Sequence, residues 1–158
     1  MSEHDIQITI DGELVRARVE ARRTLVDFLR VDAGRTGVHV GCEHGVCGAC
    51  TVIIDGKAVQ SCDVPVSAAV GKQITTVESL GTDAALHPLQ RAFIDEQAAQ
   101  CGYCASGILM AAKALLDANP DPDDAAIRKA LEGNLCRCGT HGRILRAIKR
   151  AAKTMKGT

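Results

Sequence analysis

Eight cysteines in 158 residues, and the way they are spaced, constrain this chain more than any hydrophobic pattern does. Four lie in the first half, Cys42, Cys47, Cys50 and Cys62, and four in the second, Cys101, Cys104, Cys136 and Cys138, with none left over. Their density falls below the roughly 8 to 10% that marks a disulfide scaffold in a short secreted chain. The segment Met1 to Asp11 carries charge and alternation, with no apolar core or small-residue cleavage site of a secretory signal. No apolar run approaches the ~18 residues of a membrane span. These features predict a cytoplasmic protein without direct membrane insertion. In that reducing compartment, clustered thiols more often hold metal than form bridges. Four thiolates are what a [2Fe-2S] cluster, a [4Fe-4S] cluster or a structural zinc requires.

Charge and aromatic content exclude one large class of partners. Lys and Arg number 19 against 19 Asp and Glu, so no global field draws the chain to nucleic acid. Aromatic residues are 2% of the chain, which leaves no platform for stacking bases and a core to be built from Val, Ile, Leu and Ala.

The pattern changes character midway. Ile6, Ile8 and Ile10 alternate with polar residues, Asp11-Gly12 follows, and Val15, Ala17 and Val19 alternate again, which predicts a hairpin with one buried face. Thr24 is placed to cap a short helix carrying Leu25, Val26, Phe28 and Leu29. Gly37 to Cys50 has no periodicity, Thr51 to Ile54 and Lys57 to Val59 form a second predicted hairpin, and Ile74 to Val77 a last strand. Beyond a linker near Gly81 to Ala85, helical spacing predicts helices over His87 to Ala98, Ser106 to Ala118, Asp123 to Glu132 and Gly142 to Lys153. Pro88 and Pro122 sit where a helix start tolerates a missing N–H, and Asn119-Pro120 stops the second helix. Strands followed by helices argue for two modules.

The first cysteine set has the spacing Cys42-x4-Cys47-x2-Cys50 of plant-type ferredoxins, with Cys62 as the distant fourth ligand. Gly41, Gly45 and Gly48 let the loop wrap closely enough for its N–H groups to reach sulfur. In the second set, Cys101 and Cys104 approach from the start of a helix, where the positive end favours thiolate, and Cys136 and Cys138 come from the turn between the last two helices. A zinc ribbon pairs C-x2-C with a second C-x2-C or H-x3-5-H, unlike Cys136-Arg137-Cys138. Cys101-Gly102-Tyr103-Cys104 lacks the preceding strand of a thioredoxin-like redox dithiol. A Rieske centre built on His44 or His141 would strand six thiols, so these read as loop residues near the metal, and His4, His39 and His87 as structural or solvated. Nucleophile-elbow, P-loop and dinucleotide fingerprints are missing, and no residue is assigned a catalytic role.

Three blocks in order, Gly41-Cys42-Glu43-His44-Gly45-Val46-Cys47-Gly48-Ala49-Cys50-Thr51-Val52, Gln100-Cys101-Gly102-Tyr103-Cys104 and Gly133-Asn134-Leu135-Cys136-Arg137-Cys138, carry a resemblance over essentially the whole chain. The chain resembles the small iron-sulfur subunit of the molybdenum hydroxylases, the xanthine oxidase family. The resemblance implies an α+β chain. Residues 1–80 would be a ferredoxin-like β-grasp domain with one [2Fe-2S] cluster, and residues 81–158 a four-helix bundle domain with a second. It implies that Cys42, Cys47, Cys50 and Cys62 ligate the first cluster and Cys101, Cys104, Cys136 and Cys138 the second. Gln100 and the Cys138 sulfur would touch the edge of a molybdopterin held by a large partner subunit. Electrons from that subunit, which hydroxylates an N-heteroaromatic ring or an aldehyde, would leave through this chain to an FAD-binding subunit or a haem cytochrome, and any membrane association would come through a partner.

Two departures bear on the branch. Ala105-Ser106-Gly107 stands where many members have Thr-Pro-Gly, and Gly139-Thr140-His141 where many have Thr-Gly-Tyr. The second resembles the branch acting on nicotinate, isoquinoline and related N-heteroaromatics. The loop Cys42-Glu43-His44-Gly45-Val46-Cys47 resembles flavin-partnered members, including carbon monoxide dehydrogenases. A free-standing two-cluster ferredoxin is the competing reading, against which the helical module speaks.

Overall fold

The computed structural model describes residues 2–157; Met1 and Thr158, the outer ends of the two expected domains, lie outside the described residues. Strand β1 (Glu3–Ile10) pairs antiparallel with β2 (Glu13–Glu20). Ile6, Ile8 and Ile10 are buried and the residues between them face outward or sideways, as their alternation predicts. Helix α1 (Leu25–Asp27) is capped by the Thr24 hydroxyl, which accepts from the Asp27 N–H, and runs on into a wider π-type turn over Phe28–Asp32. Its apolar side, Leu25, Val26, Phe28 and Leu29, closes the core against the sheet. Burial of each such side chain stabilises by about 1.5–3 kcal/mol.

Strands β3 (Thr51–Ile54), β4 (Lys57–Gln60) and β5 (Gln73–Thr75) complete a mixed five-stranded sheet in the order β2-β1-β5-β3-β4, with β1 and β5 parallel. The last strand is shorter than its apolar pattern predicts. Thr76 accepts the Glu78 N–H through its hydroxyl and starts a 3-10 turn over Val77–Ser79, whose carboxyl end leads Leu80 into the helical core.

Four longer helices follow: α2 (Pro88–Asp95), α3 (Ala105–Ala118), α4 (Asp124–Ala130) and α5 (His141–Met155). Pro88 is the first residue of α2, behind a capping box made by His87 and Gln90. Pro122 lies one residue further out than expected, because the Asp123 carboxylate takes the capping position by accepting the Ala126 N–H. Leu89, Ile108, Leu116, Ile127, Ile144 and Ile148 fill the space between these helices. Among the described residues no helix is long and apolar enough to cross a membrane.

The segment expected as a linker is an exposed turn with defined hydrogen bonds. Thr82 and Ala85 exchange backbone hydrogen bonds, and Gly81 lies so close to His87 and Gln90 that a Cβ has no room. Strand β3 is buried along its whole length because each face is covered. Val52 and Ile54 join the core of the β module, while Thr51 meets Asn134 of the helical one. The two modules thus share a strand's second face as their interface.

Candidate metal centres

The first set of cysteines lies on the loop that leads into β3 and in the 3-10 turn that follows β4. Glu43 at φ +59° and Gly45 at φ +65° reverse the chain twice within the loop and aim successive N–H groups inward, as in an anion-binding nest. His44 N and Cys47 N donate to the Cys42 sulfur at 3.4 Å each, Gly45 N to Cys62 at 3.3 Å, and Cys62 N to Cys50 at 3.4 Å. Backbone donors from Cys47, His44 and Val46 bring the Cys42 thiol down to about 6. Burial pushes Cys62 up to about 12 and raises Cys47 as well.

The second set is assembled from two turns. Cys101 precedes α3 and Cys104 occupies its N-cap position, while Cys136 and Cys138 lie in the turn between α4 and α5. Burial, and then the neighbouring Cys136, push Cys104 up to about 12, so desolvation outweighs the favourable helix start there. Burial acts on the half-buried Cys136 in the same direction, yet hydrogen bonds from Thr140, whose hydroxyl lies 3.1 Å away, and from Cys104 bring it down to about 7. Cys101 is lowered by the Tyr103 N–H and by Cys138, whose sulfur is 3.5 Å distant.

Each set resolves into two pairs of thiols in mutual contact: Cys42 with Cys47 and Cys50 with Cys62, then Cys101 with Cys138 and Cys104 with Cys136. A two-iron cluster takes two thiolates on each iron, so paired sulfurs fit it well. A single tetrahedral ion wants its ligands gathered on one point, and among the described residues no three His, Cys, Asp or Glu side chains converge in that way. Cys62 and Cys104, which burial holds protonated, require the positive charge of bound metal to ionise. The donor set and its inward N–H groups therefore fit two [2Fe-2S] clusters.

Both sets open on one cavity of about 370 Å³, lined by Gly41, Cys47 and Ala49 from one module and by Cys101, Cys104 and Cys136 from the other. Among the described residues a single hydrogen bond, Leu135 N to Cys47 O at 2.9 Å, joins their backbones. Tyr103 and Leu135 line the cavity as an apolar rim, 51% and 56% exposed. Gln100 is exposed beside Cys101. The Tyr103 hydroxyl donates to Val40 O at 2.6 Å, and its ring stacks on His39 at 4.8 Å. His141 starts α5 with Nε2 accepting from Cys136 N, while His44 is an exposed loop residue. Spacing does not reveal Asn134, Gln60 or the Tyr103–His39 stack, all of which join the modules through partners 64 or more residues away.

Two family models match: a 2Fe-2S iron-sulfur cluster binding domain over residues 8–80, and a [2Fe-2S] binding domain over residues 76–149. One of the subunits of nicotinate dehydrogenase from Pseudomonas putida is 54% identical over 96% of this chain and 96% of its own length. One of the subunits of isoquinoline 1-oxidoreductase from Brevundimonas diminuta is 48% identical over 94% of this chain and 97% of its own. Among solved structures, a chain of quinoline 2-oxidoreductase from Pseudomonas putida 86 superposes with a TM-score of 0.92 at 39% identity, over 98% of this chain and 97% of that one.

Proposed function

From the premise that this chain belongs to the molybdenum hydroxylases of the xanthine oxidase family as their small [2Fe-2S] subunit, we propose which of its residues carry the electrons and for what substrate. The chain transfers electrons within its complex and performs no substrate chemistry itself. Its partners are a large molybdopterin subunit, which supplies the electrons, and a flavin subunit or cytochrome, which receives them. When bound, each [2Fe-2S] cluster accepts and releases one electron at a time.

Residues 1–80 form the ferredoxin-type module, with Cys42, Cys47, Cys50 and Cys62 as ligands. Residues 81–158 form the helical module, with Cys101, Cys104, Cys136 and Cys138 as ligands. Gln100 and Cys138 face the pterin, a placement supported by the exposed Gln100 and the apolar rim of Tyr103 and Leu135 beside it. The substrate of the complex is an N-heteroaromatic ring. Gly139-Thr140-His141 and the names of the relatives support that class over carbon monoxide.

The observation that carries this reading is the shared cavity, onto which thiols of both sets open across one backbone hydrogen bond. A carrier that meets its partners one at a time needs only the first module; two adjoining sites make a through-path. In the purified complex, mixing with nicotinate or isoquinoline under anaerobic conditions should reduce two [2Fe-2S] EPR signals. Reduction by aldehydes alone would overturn the substrate class, and reduction of a single cluster would overturn the relay.

A further inference from the structure

Three consecutive carbonyls of the first metal loop are held from the other module. Cys47 O accepts from Leu135 N at 2.9 Å, Gly48 O from Asn134 Nδ2 at 3.0 Å, and Ala49 O lies 3.5 Å from the Ser106 hydroxyl. Asn134 is buried, and both of its visible side-chain bonds run to the other module, since Nδ2 also donates to Thr51 Oγ1 at 3.3 Å. The Thr51 hydroxyl in turn donates to Gly48 O at 2.7 Å. On the far side of the same peptide unit is the Ala49 N–H, which favours the charged form of the neighbouring Cys47 sulfur. Asn134 and Thr51 thus converge on the Gly48 carbonyl, Asn134 both directly and through the Thr51 hydroxyl, and the N–H end of that peptide points the opposite way.

A peptide whose carbonyl accepts strong hydrogen bonds is polarised, and its N–H becomes a better donor. Hydrogen bonds to ligand sulfur stabilise the more negative, reduced form of an iron-sulfur cluster and so raise its potential. We propose that Asn134 is a positioning residue for the cluster of the ferredoxin-type module. From outside that module, and without touching a ligand, it orients and polarises the Gly48–Ala49 peptide, and so sets the pull of that peptide's N–H end on the loop sulfur beside it. The inference rests on the reading that the first cysteine set holds a cluster. It adds that the acceptor-side potential is written partly in the turn carrying Cys136, so one module tunes the other.

Redox titration of the intact complex, followed by EPR, tests this with two variants. Asn134→Ala removes the remote donor, and Thr51→Val removes the intermediate hydroxyl with little change of shape. The signal belonging to the first cluster is identified as the one altered in Cys47→Ser. Wild type should show two signals and about four iron per chain, and failure there would refute the cluster reading itself. With that established, both variants should move the midpoint of the first cluster to more negative values and leave the helical cluster's midpoint in place. The double variant should shift furthest, because each group also donates to the Gly48 carbonyl on its own. Iron lost from the first site alone in Asn134→Ala, with Thr51→Val fully loaded and shifted negative, also supports the proposal. An unmoved first midpoint in Thr51→Val and in loaded Asn134→Ala, or an equal shift of both clusters, overturns it.

Discussion

Gly48 occupies the tightest point between the modules, and its replacement by alanine should be the most damaging single methyl addition in the chain. Its φ of +75° lies in the left-handed region, where an L side chain costs about 1–2 kcal/mol. A Cβ there would also run into the Gly133 carbonyl and the Asn134 amide, and a clash with backbone is relieved only by separating the modules, at about 1–3 kcal/mol. Against this, alanine restricts the unfolded chain and returns about 0.4–1 kcal/mol. The net loss is on the order of 3 kcal/mol. Two controls separate the contributions. Gly56, at φ +83° with nothing within 4 Å of a Cβ, isolates the backbone strain and should cost roughly 1 kcal/mol. Gly107 isolates the clash: its Cβ would meet Gly48 O, but alanine gains about 1 kcal/mol in a helix interior, so the net loss is again roughly 1 kcal/mol. With a urea slope of about 2 kcal/mol per molar, Gly48→Ala should lower the midpoint for loss of visible cluster absorbance by about 1.5 M and each control by about 0.5 M. If Gly56→Ala proves as costly as Gly48→Ala, the close approach of the modules contributes nothing and the reasoning fails.

Native complex should yield about four iron and four acid-labile sulfides per copy of this chain, and zinc at one per four cysteines would contradict both cluster sites. In rapid mixing with substrate, Cys47→Ser should still allow the helical cluster to reduce while steady turnover collapses, whereas Cys138→Ser should leave both clusters oxidised; the reverse pattern would exchange the proximal and distal sites. Burial holds the His87 imidazole below its ordinary value of 6.5, with Lys113 adding to the effect and Asp117 opposing it, and the neutral Nδ1 accepts the Leu89 N–H. The unfolded chain therefore takes up the proton first as pH falls. The stability from this cap is complete above about pH 6.5 and is lost below it, so amide protection at the start of α2 should fall on acidification in the wild type and stay level in His87→Asn.

What is legible in the sequence is whatever depends on near neighbours. The alternation of Ile6, Ile8 and Ile10 specifies a buried face, and Thr24 marks a helix start. The 3.6-residue spacing locates four helices to within a few residues of their observed ends. Sequence and structure part where a distant partner decides the outcome. Val77 leaves the last strand because the Thr76 N–H and hydroxyl are drawn to the Asp11 carboxylate, 65 positions away, at 2.7 Å each. Gly81 to Ala85 has the composition of a loose connection, and nothing in it shows that Val77 and Leu80 on one side and Leu89 on the other enter the same core. The candidate ligands can be named from spacing alone, yet their pairing across the chain, Cys101 with Cys138 and Cys104 with Cys136, follows from how α3, α4 and α5 pack.

The contacts between the modules explain why both remain on one chain. Several are hydrogen bonds to carbonyls, at Val40, Cys47, Gly48 and Gly133, from Tyr103, Leu135, Asn134 and Gln60. Water satisfies such groups almost as well when the modules part, so each bond contributes only about 0.5–1.5 kcal/mol. Their value lies in register, since each fixes the position of a ligand-bearing loop to within hydrogen-bond tolerance. Adhesion comes from the second face of β3, which buries Ile53 where α3 packs on it. The short turn from Val77 to His87 adds proximity, keeping the modules at high effective concentration, while Leu80 anchors its near end in the helical core. A tether that provides proximity leaves the interface free to be polar and close-fitting, with glycines at positions 48 and 107 admitting backbone against backbone. Larger side chains at those positions would force the modules apart and hold the two sets of thiols further from each other.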